Sequence, residues 1–151
     1  IDDAALTTGI ERVADNAGIR GRCQVVSVDP LVIADVGHNE ACIRECVSVI
    51  NQSPYALCSF SVVYGVMNDK DCVSMLSLLA PLCATLYAGT PNTERAMDAE
   101  TIVQHARQAG MDARNCGTIA DALDQALCQG KPVLVTGSFY VVDEALQALR
   151  A

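Results

Sequence analysis

Short apolar runs alternate along this chain with longer stretches whose apolar positions recur at helical spacing. Runs of the first kind suit strands, and the recurring positions suit the buried face of a helix. The pattern predicts strands over Cys23–Val28 and Leu31–Ala34, a helix over about 39–51, a strand over 57–64 and a helix over about 70–79. It continues with a strand over 82–87, a helix over about 98–109, a strand over 112–116, a helix over about 119–128, a strand over 133–136 and a helix over about 139–150. Ahead of them, residues 2–17 have helical character with a break near Gly9, and a turn follows at Gly18-Ile19-Arg20-Gly21. Such alternation predicts an α/β fold, a Rossmann-like, mainly parallel sheet with helices on both faces.

Residues at the predicted boundaries agree with this layout. Asn68 with Asp71, and Thr118 with Asp121, set a capping residue three positions before an acid at two helix starts. Gly110 and Gly130 stand where two helices should stop. Gly89-Thr90-Pro91-Asn92 is a loop signal between a strand and the next helix. No internal repeat, low-complexity tract or linker interrupts the pattern, so residues 1–151 are expected to form one domain, with about 1–20 as a leading helical segment.

Composition narrows the picture. Hydrophobic residues make up 51% of the 151 positions but aromatics only 4%, with no Trp, so Val, Leu, Ile, Ala and Cys must build the core. The net charge of −8 opposes a nucleic-acid partner, because phosphate backbones need a basic face. The longest uncharged, mostly apolar stretch, Cys72–Ala88, falls short of the roughly 20 residues of a membrane span, is interrupted by Ser74, Ser77, Pro81 and Thr85, and suits a buried helix followed by a strand. Residue 1 is Ile, as in a processed protein or a piece of a longer one, and the second is expected. The eight cysteines contain no Cys-x-x-Cys. His38, Cys42 and Cys46 share helical spacing, but no fourth ligand stands beside them, so no metal site is expected. Reduced thiols filling the core are expected instead, which implies a cytoplasmic protein.

Chemistry concentrates where strands hand over to helices. In a parallel α/β sheet the carboxyl ends of the strands and the amino ends of the helices share one edge, where free N–H groups and helix dipoles favour anions. Asp35, Gly37, His38 and Asn39 occupy one such junction, Gly65–Asp71 a second and Thr136–Ser138 a third. Asp35, Asn39 and Ser138 equally suit plain turn and capping roles. Lys70, one of two lysines, suits either a solvated position or a point charge for a carboxylate or phosphate. Arg22 is a surface arginine or a phosphate clamp. His38 suits proton transfer or phosphate contact better than metal ligation. Asp35 and His38 are both expected at a surface junction, replaceable without loss of the fold. No Gly-x-x-x-x-Gly-Lys-Ser/Thr occurs, and Gly117-Thr118 lacks the lysine, so the chain does not cradle a nucleoside triphosphate in that way.

Four ordered stretches, Gly21-Arg22-Cys23-Gln24, Ala34-Asp35-Val36-Gly37-His38-Asn39, Tyr64-Gly65-Val66-Met67-Asn68-Asp69-Lys70-Asp71 and Val133-Leu134-Val135-Thr136-Gly137-Ser138-Phe139-Tyr140, carry a further signal. From Gly21 to about Leu149 the chain resembles the carboxy-terminal domain of folylpolyglutamate synthase/dihydrofolate synthase, within the Mur ligase superfamily. The resemblance implies an ATP-dependent ligase that joins glutamate to a folate or dihydropteroate through an acyl phosphate. ATP and magnesium would belong to the full-length enzyme, with none bound by this domain alone. The phosphate loop would lie in a central domain of the same protein. Arg22 would approach the nucleotide phosphates, Asp35 the ribose side and His38 the phosphates, with Asn39 in the same motif. Lys70 and Ser138 would face the incoming glutamate. Gly37, Glu40, Cys23 and Asn68 depart from the family's usual Ala, Pro, larger apolar residue and basic residue. The last removes one positive charge from the glutamate side. Another Mur-type amide ligase, or a non-catalytic nucleotide- or anion-binding module, would share this fold.

Overall fold

A computed structural model describes residues 22–151. The helical character expected over 2–17 and the Gly18–Gly21 turn lie outside the described residues. Beyond them the elements run β1 Gln24–Val28, β2 Leu31–Ala34, α1 Glu40–Asn51, β3 Phe60–Tyr64, α2 Cys72–Leu79, a 3-10 turn Ala80–Leu82, and β4 Cys83–Ala88. Then follow α3 Ala99–Gln108, β5 Ala113–Asn115, α4 Ile119–Leu127, β6 Val133–Thr136 and α5 Phe139–Ala148. The stretch Cys72–Ala88 is the buried helix and strand expected of it, and no described helix is long and apolar enough to cross a membrane.

The six strands form one sheet in the order β1-β2-β6-β3-β4-β5. Only the β1–β2 pair is antiparallel. Side-chain alternation sends Ile33, Val62, Tyr64 and Leu134 to one face, where Ile43, Cys46 and Ile50 of α1 pack together with α2 and α3. Val32, Ala34, Val63, Val133 and Val135 face the other side, under Ile119, Ala122, Leu123 and Ala126 of α4 and Val141, Val142 and Ala145 of α5. Chain direction explains the split. From β2 to β5 each connection steps the same way across the sheet, and from β5 to β6 the chain turns back, so a right-handed crossover puts α4 on the opposite face.

Two boundaries differ from the sequence pattern. The strand expected over 57–64 starts at Phe60, because Leu57 is fully exposed and turns occupy the residues before it. The helix expected from about 70 starts at Cys72, capped by Asp71, whose Oδ1 accepts from the Ser74 N–H at 3.0 Å; Asn68 is not the cap. The Thr118–Asp121 pair does cap α4. Gly110 and Gly130 end α3 and α4 in the left-handed region, at φ +80° and +65°.

Candidate functional site

Because β2, β6 and β3 run parallel, their exits share one edge, and the chain reverses its winding at β6. This is the crevice position where open α/β sheets bind ligands. Asp35 follows β2 and its N–H donates to the Val135 carbonyl at 2.9 Å. Its Oδ1 accepts from the Gly37 N–H at 2.8 Å, and its Oδ2 accepts from the Cys23 N–H at 3.0 Å. Cys23 takes φ +44°, a left-handed conformation that costs a non-glycine residue about 1–2 kcal/mol and here turns its N–H onto Asp35. Asp35 is therefore 7% exposed and ties the start of β1 to the turn after β2. The expectation that it lies at the surface is corrected: the side chain is buried, and its removal would strand two N–H donors.

Asn39 caps α1, with Oδ1 accepting from the Cys42 N–H at 2.9 Å. His38 sets Nδ1 3.2 Å from the Val36 carbonyl. A carbonyl only accepts, so Nδ1 is the donor in this contact and Nε2 is the ring nitrogen left to face a ligand. The ring centroid of His38 is 6.0 Å from that of Phe139, the first residue of α5. Arg22, Asp35, His38, Cys42, Glu45 and Cys46 line a cleft of about 370 Å³ beside the amino end of α1. The structure thus brings together Arg22, Asp35 and His38, with Asn39 serving the adjoining helix.

A second group lies beyond β6. Lys70 Nζ stands 3.2 Å from one carboxylate oxygen of Asp69, and an Arg95 guanidinium nitrogen 3.1 Å from the other. Hydrogen bonds from Lys70 and Arg95 hold the Asp69 carboxyl below its ordinary range. Asn68 fastens the two loops: its N–H donates to the Arg95 carbonyl at 2.8 Å and its side-chain amide to the Ala96 carbonyl at 3.0 Å. Arg95 escaped the sequence analysis because it sits in the long loop after β4, outside every motif. Its place in a loop leaving a parallel strand was the available signal. Ser138, 3% exposed, caps α5 by accepting from the Val141 N–H at 3.2 Å. It leaves β6, so it stands between the two groups. Gly137 before it has φ +118°, and a Cβ there would meet the Gly65 carbonyl oxygen at 2.0 Å; the exits of β6 and β3 pack backbone to backbone.

The sequence analysis also missed a cluster under the cleft. One ligand atom each from Cys23, Asp35 and Cys46 lies within 4.8 Å of the other two. A hydrogen bond with Cys23, burial and the Asp35 charge push the Cys46 thiol well above its ordinary value. The strand pairing that places Cys23 over α1 is a long-range contact that linear spacing does not contain.

These features define a doubly wound α/β domain with an anion-favouring carboxyl edge. The family described as "Mur ligase, glutamate ligase domain" matches residues 21–139, and the chain belongs to that family. A probable bifunctional folylpolyglutamate synthase/dihydropteroate synthase of Haloferax volcanii is 33% identical over 149 residues, which are 96% of this chain and 17% of that protein. The structure of a bifunctional folylpolyglutamate synthase/dihydrofolate synthase from Yersinia pestis CO92 matches all of this chain and 35% of its own, at TM-score 0.82 and 28% identity. A structure of such a synthase with Mn, AMPPNP and L-glutamate bound matches at TM-score 0.75 and 27% identity, over 88% of this chain and 32% of its own. The chain therefore spans 17%, 35% and 32% of the lengths of these three proteins.

Proposed function

We propose that this domain serves a folylpolyglutamate/dihydrofolate synthase, which joins glutamate to a folate or dihydropteroate at the expense of ATP, and that its carboxyl edge supplies contacts to both ATP and glutamate. The observation that carries this reading is the order along the edge: Arg22, Asp35 and His38 on one side, Ser138 at β6, Lys70 and Arg95 on the other. Arg22 and the His38 ring suit phosphate oxygens, and Asp35 suits a ribose hydroxyl. Lys70 and Arg95 offer a dicarboxylate two cationic groups, although the Asp69 carboxylate between them offsets one of the charges. The Ser138 hydroxyl can still donate while its oxygen caps α5. The domain's contribution is positioning and charge stabilisation of the reacting carboxyl and amine.

Magnesium fits poorly here. Among the described residues the grouped donors are two sulfurs and one carboxylate, whereas magnesium takes oxygen ligands in an octahedron. No step of the reaction is assigned to a metal held by this domain. A central ATP-binding domain of the same protein is the proposed holder of the phosphates, and exposed Phe139 and Tyr140 at the edge suit contact with it. The test is ADP release by the full-length protein given ATP, glutamate and dihydropteroate or a reduced folate. Release that depends on both organic substrates is the expected result, and its absence overturns the reading.

A further inference from the structure

Cys23, Asp35 and Cys46 come from three separate places in the chain, the start of β1, the exit of β2 and the middle of α1. The donors are nevertheless close: Cys23 Sγ is 3.4 Å from Asp35 Oδ2, and all three ligand atoms lie within 4.8 Å of one another. A tetrahedral zinc ion with Zn–S near 2.3 Å and Zn–O near 2.1 Å separates sulfur from oxygen by about 3.6 Å, close to what the structure has. Among the described residues no other trio of His, Cys, Asp or Glu gathers in this way.

We propose that Cys23, Cys46 and Asp35 form a binding site for a thiophilic divalent cation, zinc above all, under the cleft. On binding, the two thiols lose their protons to solvent and two thiolates and one carboxylate coordinate the cation. Two sulfurs select against magnesium and calcium, which prefer oxygen. The ligand set is already oriented. Asp35 accepts from the backbone N–H groups of Cys23 and Gly37, which fixes its carboxylate as outer-shell partners fix metal ligands elsewhere. Cys23 is held in a left-handed conformation by the same contact, an uncommon backbone state for a side chain that meets both other donors. Three protein ligands leave one position open to the 370 Å³ cleft, the arrangement of exchangeable sites and not of closed structural ones. The site shares Asp35 and the cleft with the proposed nucleotide contacts, but the two readings fail separately, because cation binding is measured without nucleotide or turnover.

The test is anaerobic titration of the full-length, reduced, metal-free protein with cobalt(II), which reports thiolate ligands by sulfur-to-cobalt charge-transfer absorption. One equivalent should develop that absorption together with tetrahedral d–d bands, and zinc should then abolish both. Cys46→Ala and Cys23→Ser should each lose at least half of the charge-transfer intensity, while Cys128→Ser, at an exposed position, keeps all of it. Should Cys46→Ala fail to fold, Cys23→Ser at the half-buried rim carries the comparison alone. A protein without the absorption, or one that keeps its full intensity in the foldable site variants, overturns the proposal. So does the absence of two titratable thiols in protein purified anaerobically without reductant, when reductant but not chelator restores them, which would identify a disulfide in place of a metal site.

Discussion

Asp35 joins structure and chemistry in one side chain. Its carboxylate accepts the N–H of Cys23 and of Gly37 inside a turn that is almost closed to solvent. Leaving a buried donor without a partner costs about 1–3 kcal/mol. Asp35→Ala should therefore loosen the β1–β2 end, and amide exchange at Cys23 and Gly37 should accelerate about tenfold or more. Asp35→Asn keeps one acceptor oxygen, so one of the two N–H groups should keep its protection and the other lose it, along with the negative charge. Comparison of the two by exchange and turnover separates the roles: unchanged protection in Asp35→Ala would show that these bonds do not hold the turn. The sequence places Asp35 at the right junction, since a polar residue after an apolar run is visible in one dimension. Its burial is not visible there, because the partner N–H of Cys23 arrives through strand pairing.

At the scale of elements, one strand start and one helix start depart from the sequence pattern, each for its own reason. Thr118 and Asp121 cap α4 as their spacing implies, whereas Leu57 and Cys58 extend the apolar run of β3 without joining the sheet. Period alone does not separate an exposed leucine from a buried one. Asn68 was misassigned because its side-chain amide is committed to the next loop, leaving Asp71 as the cap. The aspartate caps also carry a pH signature. Hydrogen bonds from the Ser74 N–H and hydroxyl lower the Asp71 carboxyl below its ordinary 3.8, and those from the Thr101 hydroxyl and N–H do the same for Asp98. A carboxyl lowered on folding adds stability above its unfolded value, and that contribution is lost as pH falls through the folded value. Asn caps helices without titrating. The double variant Asp71→Asn/Asp98→Asn should thus show a shallower loss of stability below pH 3.8, with little change near neutrality. Thermal unfolding followed across that acid range checks it, and an unaltered slope would remove the caps as the source.

Across the whole molecule, the decisive fact is that β6, late in the chain, enters the sheet between β2 and β3. The sequence shows that parallel strands share an edge but not their order, because order depends on pairings between distant segments. That order separates the two charged groups and sets Ser138 between them, and it carries Arg95 alongside Lys70 through their common partner Asp69. Separate groups predict separable kinetic effects in the full-length protein. A hydrogen bond to a charged group is worth about 1.5–3 kcal/mol, or roughly 10- to 100-fold in affinity. Lys70→Ala and Arg95→Ala should each raise the KM for glutamate by about that factor with the KM for ATP nearly unchanged. Arg22→Ala should do the reverse. If the lysine and arginine act on one substrate, the double variant Lys70→Ala/Arg95→Ala should be non-additive, since Asp69 bridges them and neighbouring groups couple. Equal effects of all three on both KM values would mean that the edge holds one ligand across β6, and the division into two sides would have to be abandoned.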